Sequence, residues 1–253
     1  MTFIIAEAGV NHNGDIQEAH RLVVAAKRCE ANAVKFQYFD SRRLWGDDRI
    51  KHLELSLKQM TMLKEQASSL GIEFMCTAFD VQGLEEILPL IKRIKISSGC
   101  ITDRKLLNLA HDTGLPIIVS TGMATPDEIV AALDVLRDVV LLQCTSIYPC
   151  PPGFANLRAM QKYAFYDVEY GLSDHTTTVS IPIAAVAMGA TVIEKHLTLD
   201  RNAEGPDHKA SIEPDQFKLM VQGIREVEQA MGDGIKRVQP GETALREIWH
   251  ARK

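Results

Sequence analysis

Ala33-Val34-Lys35-Phe36-Gln37 is a short run in which a lysine and a glutamine interrupt apolar residues at alternate positions. Alternate residues of a strand point to the same side, so Lys35 and Gln37 share one face. Seven comparable runs accompany it: Ile4–Ala8, Ile72–Thr77, Arg93–Ser97, Pro116–Thr121, Val139–Cys144, Val168–Leu172 and Thr191–His196. All are short, largely apolar and rich in Val and Ile, as strands buried on both faces should be. Helical patterns separate them. Asp15 with Glu18 resembles a capping box, followed at helical spacing by Ile16, Ala19, Leu22, Val23 and Ala26. Thr125-Pro126-Asp127-Glu128 is a stronger start, with a capping Thr, a first-turn Pro and a Glu three residues after the cap. Ile129, Ala132, Leu133 and Leu136 continue its apolar face. The last such segment carries Phe217, Met220, Val221, Ile224 and Val227, with Gly232 as its stop.

Eight strand–helix units in about 230 residues predict an α/β fold of the closed (β/α)8 TIM-barrel type. The rival is a doubly wound open sheet, which often carries a glycine-rich first turn. Here that turn is Gly9-Val10-Asn11-His12-Asn13-Gly14, without the G-x-G-x-x-G spacing. The barrel is assigned to residues 1–232. Residues 233–253 form a polar tail holding Pro240-Gly241, read as an appendage or a short terminal helix.

Composition is that of an ordinary globular protein: 253 residues, 46% hydrophobic and 24% charged, enough for a sizeable core. The net charge of −5 is scattered, without the basic face that nucleic acid requires. No apolar stretch approaches the roughly 20 residues of a membrane span. The start, Met1-Thr2-Phe3-Ile4-Ile5, lacks a signal peptide's charged onset and long apolar core. Five cysteines, an odd number with no C-x-x-C pair, argue against a disulfide framework or structural zinc and fit a cytoplasmic protein. Cys76 and Cys144, inside strand-like runs, read as small core residues.

Chemistry in such a barrel sits at the carboxyl ends of the strands. Polar residues collect there: Glu7, Asn11 and His12 after the first run, Lys35 and Gln37 in the second, Thr77 closing the third, Lys95 in the fourth with Ser97 and Ser98 after it. Ser120 and Thr121 end the fifth. Thr145, Ser146 and Tyr148 follow the sixth, Ser173, Asp174 and His175 the seventh, and Glu194, Lys195 and His196 end the eighth. Lys35 and Lys95 fall within apolar strands, where an unpaired ammonium is expensive. They are either structural ion-pair partners of Glu7 or Glu194, or an anion site with hydroxyls of Thr77, Ser98 and Ser173, or Schiff-base lysines. His175 and His196 end adjacent strands, about 4.8 Å apart, so their imidazoles can share one metal with positions left for water and substrate. His12 and His208 read as substrate contacts, acid–base groups, or surface loop residues.

Taken in order, several segments resemble the N-acetylneuraminate (sialic acid) synthase family. They are Ile5-Ala6-Glu7-Ala8-Gly9-Val10-Asn11-His12-Asn13-Gly14, Val34-Lys35-Phe36-Gln37, Lys95-Ile96-Ser97-Ser98-Gly99 and Ser120-Thr121-Gly122-Met123-Ala124-Thr125. Cys144-Thr145-Ser146-Ile147-Tyr148-Pro149, Tyr170-Gly171-Leu172-Ser173-Asp174-His175-Thr176, Ile193-Glu194-Lys195-His196-Leu197-Thr198-Leu199-Asp200 and Gly205-Pro206-Asp207-His208-Lys209-Ala210-Ser211 complete the set. The resemblance implies condensation of phosphoenolpyruvate with an open-chain aldose such as N-acetylmannosamine. Carbon 3 attacks the aldehyde, water adds at carbon 2, and phosphate leaves by carbon–oxygen cleavage. It implies a divalent metal (Mn2+, Mg2+ or Co2+) on His175 and His196. Lys35, Thr77, Lys95, Ser98, Ser146, Tyr148 and Ser173 would then hold phosphoenolpyruvate, Glu7 and Gln37 line the reacting centre, and Asp207 contact the sugar.

The chain departs from that family twice. Where members usually carry Glu after the fourth-strand Ser-Gly, this chain has Cys100, a weak hydrogen-bonding group. A different acceptor, substitution by Asp103 or a water, or a changed or lost activity would each accommodate it. Typical members also carry an antifreeze-like domain after the barrel, reaching over the partner subunit's site, and this chain stops at its approach. A homodimer or a separate lid-supplying protein is expected in its place, unless the barrel's loops suffice. Two competing readings are a pyruvate aldolase or lyase with an imine-forming lysine, and a non-catalytic barrel subunit of a larger complex.

Overall fold

A computed structural model describes residues 1–252. Its eight strands are β1 (Phe3–Gly9), β2 (Ala33–Tyr38), β3 (Glu73–Ala78), β4 (Ile94–Ile96), β5 (Ile117–Ser120), β6 (Val139–Cys144), β7 (Glu169–Asp174) and β8 (Val192–His196). The helices are α1 (Ile16–Arg28), α2 (Ser41–Trp45), α3 (Leu57–Ser69), α4 (Val81–Ile87), α5 (Arg104–Asp112), α6 (Pro126–Leu133), α7 (Leu157–Met160), α8 (Ser180–Ala187), α9 (Pro214–Ala230) and α10 (Thr243–His250). The strands pair in parallel in the order β3-β2-β1-β8-β7-β6-β5-β4. β3 and β4 lie side by side across the one seam without ladder pairing, so the sheet nearly closes on itself. This is the expected (β/α)8 barrel. All eight runs became strands. The seventh reaches further than expected, taking Ser173 and Asp174 into β7.

Two layers inside the barrel explain where the site lies. Ile5, Ala33, Met75, Ile118, Leu142 and Val192 form a dry apolar plug. Two residues further along the same six strands stand Glu7, Lys35, Thr77, Ser120, Cys144 and Glu194, all buried. Because side chains alternate, the i and i+2 positions share the interior face, and one step towards the carboxyl ends changes the lining from apolar to polar. The main core lies between strands and helices and includes Phe36, Leu63, Leu107 and Phe217. Each such fully buried side chain contributes about 1.5–3 kcal/mol.

The helix starts follow local chemistry. Glu128 N donates to Thr125 Oγ1 (3.3 Å) and Thr125 N to Glu128 Oε2 (2.7 Å), the expected capping box. At α1 the cap is simpler: Asp15 accepts from Gln17 N at 2.8 Å, whereas Glu18 pairs with Arg21 instead of reaching back. α9 ends at Ala230, and Gly232 follows with φ +59°, a conformation glycine adopts without strain. The tail does form a short helix, α10. Among the described residues, none from Met231 onward is buried, and Lys253 lies outside them. No described helix is long and apolar enough to cross a membrane.

Candidate active site

The carboxyl ends of the strands open into a cavity of about 670 Å³, within the range of small-molecule sites. Glu7, Lys35, Gln37, Thr77, Lys95, Ser98, Ser146, Tyr148, Ser173, His175, His196 and Asp207 all line it. Residues drawn from seven strands and their loops, spread over 200 positions of sequence, thus meet in one space.

Its floor is a charge cluster. Lys35 Nζ lies 2.7 Å from Glu7 Oε2 and 3.5 Å from Glu194 Oε2, and donates to Thr77 Oγ1 at 3.0 Å. Lys95 Nζ lies 3.6 Å from Glu194 Oε1 and donates to Ser120 Oγ at 2.6 Å. Ser173 Oγ donates to the same Glu194 oxygen at 2.9 Å, and Gln37 Nε2 to Glu7 Oε1 at 3.0 Å. Burial alone would disfavour every charge here. The two lysines nevertheless hold the Glu194 carboxyl down at about 2. Lys35, facing two carboxylates, stays protonated despite its burial. Lys95 has only Glu194 close by, and burial lowers its pKa. Glu7 is raised by burial and by Glu194, even against the pull of Lys35. The cluster is an ion-pair network, and its chemistry also suits an anion, to which the ammonium groups could turn from Glu194.

Two glycines beside it let polar side chains approach the backbone closely. A Cβ on Gly122 would collide with Ser146 Oγ and stand 2.9 Å from Ser98 Oγ. Gly122 N donates to Ser98 Oγ at 3.0 Å. Backbone amide, hydroxyls and Lys95 therefore converge on the β4–β6 side. On the β8–β1–β2 side, Asp207, Gln37 and Glu7 surround Gly9, all within 3.1–3.3 Å of the point a Cβ would occupy. Burial raises the Asp207 carboxyl to about 6, with Glu7 adding to the effect.

The His175 and His196 rings lie between these regions, 5.3 Å apart between centroids, with Tyr148 4.0 Å from His175. His175 Nδ1 faces the Thr145 carbonyl at 2.7 Å, which orients the ring, and against the pull of burial the neighbouring Cys144 and this carbonyl raise its pKa. His196 Nδ1 is buried with no hydrogen-bond partner, 3.8 Å from Asp207 Oδ2. Burial holds the His196 pKa well below its ordinary value, so the ring is neutral as a metal ligand must be. Two imidazoles suit a divalent transition metal, and His175, whose pKa is raised, would give up a proton on binding one. Among the described residues, no group of three or more His, Cys, Asp or Glu is arranged to hold a metal ion. The remaining positions would fall to water and substrate.

Several sequence expectations change. His12 and His208 are not surface residues: both are buried, and neither lines the cavity. His12 Nδ1 accepts from Gly14 N at 3.0 Å, and His208 Nδ1 meets Thr198 Oγ1 at 2.7 Å, so both brace loops. Cys144 is not a core filler but lines the cavity, 3.9 Å from His175 Nδ1. Asp103 does not stand in for the missing Glu. It caps α5, accepting from Lys105 N and Leu106 N, and does not line the cavity. Cys100 does line it, as a neutral thiol whose pKa burial raises. Glu194 was legible only as an ion-pair partner and Ser120 only as a strand-end hydroxyl. Their alternation with Val192 and Ile118 was the signal that both face inward. An apolar wall from the segment between β2 and α3 carried no sequence signal.

Comparison with known proteins gives this geometry a lineage. The NeuB family model matches residues 22–236. The N,N'-diacetyllegionaminic acid synthase of Legionella pneumophila is 42% identical over 97% of this chain and 78% of its own length. The N-acetylneuraminate-9-phosphate synthase of Mus musculus is 36% identical over 97% of this chain and 75% of its own. Among solved structures, the N-acetylneuraminic acid (sialic acid) synthetase of Leptospira borgpetersenii superposes with a TM-score of 0.92 at 36% identity, covering 100% of this chain and 92% of that one. The family match spans most of the chain and agrees with the fold and with the motifs around the cavity: this chain belongs to the NeuB family.

Proposed function

We infer that this enzyme condenses phosphoenolpyruvate with a sugar aldehyde, forming a carbon–carbon bond and giving a 2-keto-3-deoxy sugar acid and phosphate. The observation that carries the reading is the meeting of Lys35 and Lys95 with the hydroxyls of Ser98 and Ser146 in one cavity. Together they offer a charged and a hydrogen-bonding site for the carboxylate and phosphate of one small dianionic substrate. The reaction balances with water: carbon 3 of phosphoenolpyruvate bonds to the aldehyde carbon, water supplies the new oxygen at carbon 2, and the carbon–oxygen bond to phosphate breaks.

In this reading, Lys35, Thr77, Lys95, Ser98, Ser146, Tyr148 and Ser173 hold phosphoenolpyruvate, and the lysines offset charge on the departing phosphate. Glu7, with its raised pKa and its bond to Gln37, holds or releases the proton exchanged with water beside the reacting carbons. Asp207 orients the sugar. Fixing both reactants makes the encounter effectively unimolecular. His175 and His196 would hold a divalent metal such as Mn2+, Mg2+ or Co2+, which when bound polarises the aldehyde oxygen. Five free, buried cysteines support a reducing, cytoplasmic setting.

Aldose-dependent phosphate release from phosphoenolpyruvate, lost with EDTA and in His196→Ala, tests the reading. Phosphate release that needs no aldose, or none with any aldose, would refute it. One feature favours the aldolase alternative: burial lowers the Lys95 pKa, as imine chemistry requires. Borohydride with pyruvate would then add a stable adduct at Lys95.

A further inference from the structure

The two histidines of the cavity are each anchored away from the other. His175 Nδ1 faces the Thr145 carbonyl, and the His175 carbonyl accepts from Cys150 N at 2.9 Å, so both contacts tie this residue to the segment after β6. His196 pairs instead with Glu7 of β1, and its carbonyl accepts from Ile212 N at 3.0 Å. The β7–β8 ladder ends one residue before each histidine, at the pair Asp174–Lys195.

That last pair is charged and faces away from the cavity. Strand alternation turns Ser173, His175, Glu194 and His196 inwards, and these line the cavity, whereas Asp174 and Lys195 do not. Comparable outward positions of other strands hold apolar core residues such as Ala6, Phe36, Ile96, Val119 and Leu141. Lys195 is fully buried and Asp174 is 3% exposed. Burying two charges where apolar side chains would pack is expensive, so stability alone does not account for the pair.

Its contacts supply another reason. Lys195 Nζ donates to Asp174 Oδ2 and to the Thr176 carbonyl, both at 2.5 Å. Asp174 in turn accepts from Thr176 N at 3.0 Å and from Thr176 Oγ1 at 2.9 Å. The residue before His196 therefore grips both residues that flank His175. Charge-assisted hydrogen bonds fix direction and distance, where an apolar contact could slide. A shared metal demands that fixity, since its ligands must be held to within about 0.5 Å.

We propose that Lys195 and Asp174 are positioning residues, whose ion pair straps His175 to the end of β8 and sets the separation at which the two imidazoles can share one divalent ion. This rests on the metal-site reading of His175 and His196.

The double variant Asp174→Asn/Lys195→Met leaves no buried charge unpaired and keeps the size of both side chains, so it should fold. Circular dichroism follows folding, visible absorption follows Co2+ binding, and calorimetry at saturating Co2+ follows phosphoenolpyruvate. Co2+ affinity should fall between about ten- and a hundredfold, with an altered absorption band. Phosphoenolpyruvate affinity should stay within about twofold, because Lys35 and Lys95 are untouched. A folded variant with the parent's Co2+ affinity and absorption overturns the proposal and leaves the metal site standing. Equal losses of both ligands overturn it too, since they report general loosening of the barrel. A parent that binds no Co2+, or binds it equally well as His196→Ala, removes the metal-site reading and the strap with it. Should the double variant not fold, Thr176→Val decides, because it removes a single hydroxyl. Its Co2+ affinity should fall by about fivefold, the worth of one hydrogen bond, and parental affinity overturns the proposal.

Discussion

The ammonium groups of Lys35 and Lys95 are separated by one carboxylate, Glu194, whose two oxygens lie 3.5 and 3.6 Å from them. Glu194 is thus the shared counter-ion of both lysines, positioning them inside the barrel. Glu194→Gln should destabilise the ligand-free protein by about 3 kcal/mol, because two buried ammonium groups lose their shared partner. Phosphoenolpyruvate should then raise the melting temperature more in the variant than in the parent. A variant that melts like the parent, with the same ligand shift, would show that Glu194 does not hold the pair.

Lys95→Met should weaken phosphoenolpyruvate binding by about a hundredfold, the loss expected when one member of a buried charge-assisted contact is removed. Calorimetric titration of the metal-loaded protein measures this. Unchanged affinity would place the phosphate elsewhere.

The buried His12 gives a stability prediction with a definite sign. Burial pulls its pKa from 6.5 to about 4. As pH falls, the unfolded chain takes up this proton first, so the stability due to neutral His12 is complete above about 6.5 and is lost on the way down through about 4. The loss is on the order of 3 kcal/mol. His12→Asn keeps an acceptor for the Gly14 amide but does not titrate. Its unfolding free energy should fall less than the parent's between pH about 7 and about 5. Parallel urea midpoints for the two proteins would contradict this.

Thr125→Ala removes the capping box of α6, outside the cavity. It should cost about 1 kcal/mol, a shift of about 2–4 °C in melting temperature for a domain of this size. Phosphoenolpyruvate affinity should not change, which calorimetry on the same samples checks.

The barrel was legible because parallel strands covered on both faces need continuous apolar runs, and Lys35, Gln37, Lys95 and Glu194 break those runs only on the inward face. The cavity was legible for the same reason, since strand ends must point into it. The loops were less so. His12 and His208 sit in irregular segments with no period to reveal burial, and only the packing of distant chain around them does so. The wall at Phe39 and Phe79 depends on two loops meeting across the β2–β4 side, which no local pattern encodes. Cys144 obeyed the strand alternation, but a thiol reads equally well as core.

The central claim is that phosphoenolpyruvate loses its phosphate by carbon–oxygen cleavage as it joins an aldose. Phosphoenolpyruvate carrying heavy oxygen in the carbon–oxygen–phosphorus bridge tests this directly. Incubation with Mn2+ and the best-bound aldose, followed by mass spectrometry, should find the heavy oxygen in phosphate and none in the new keto acid. Heavy oxygen retained in the keto acid, or phosphate appearing at the same rate without aldose, would contradict the account.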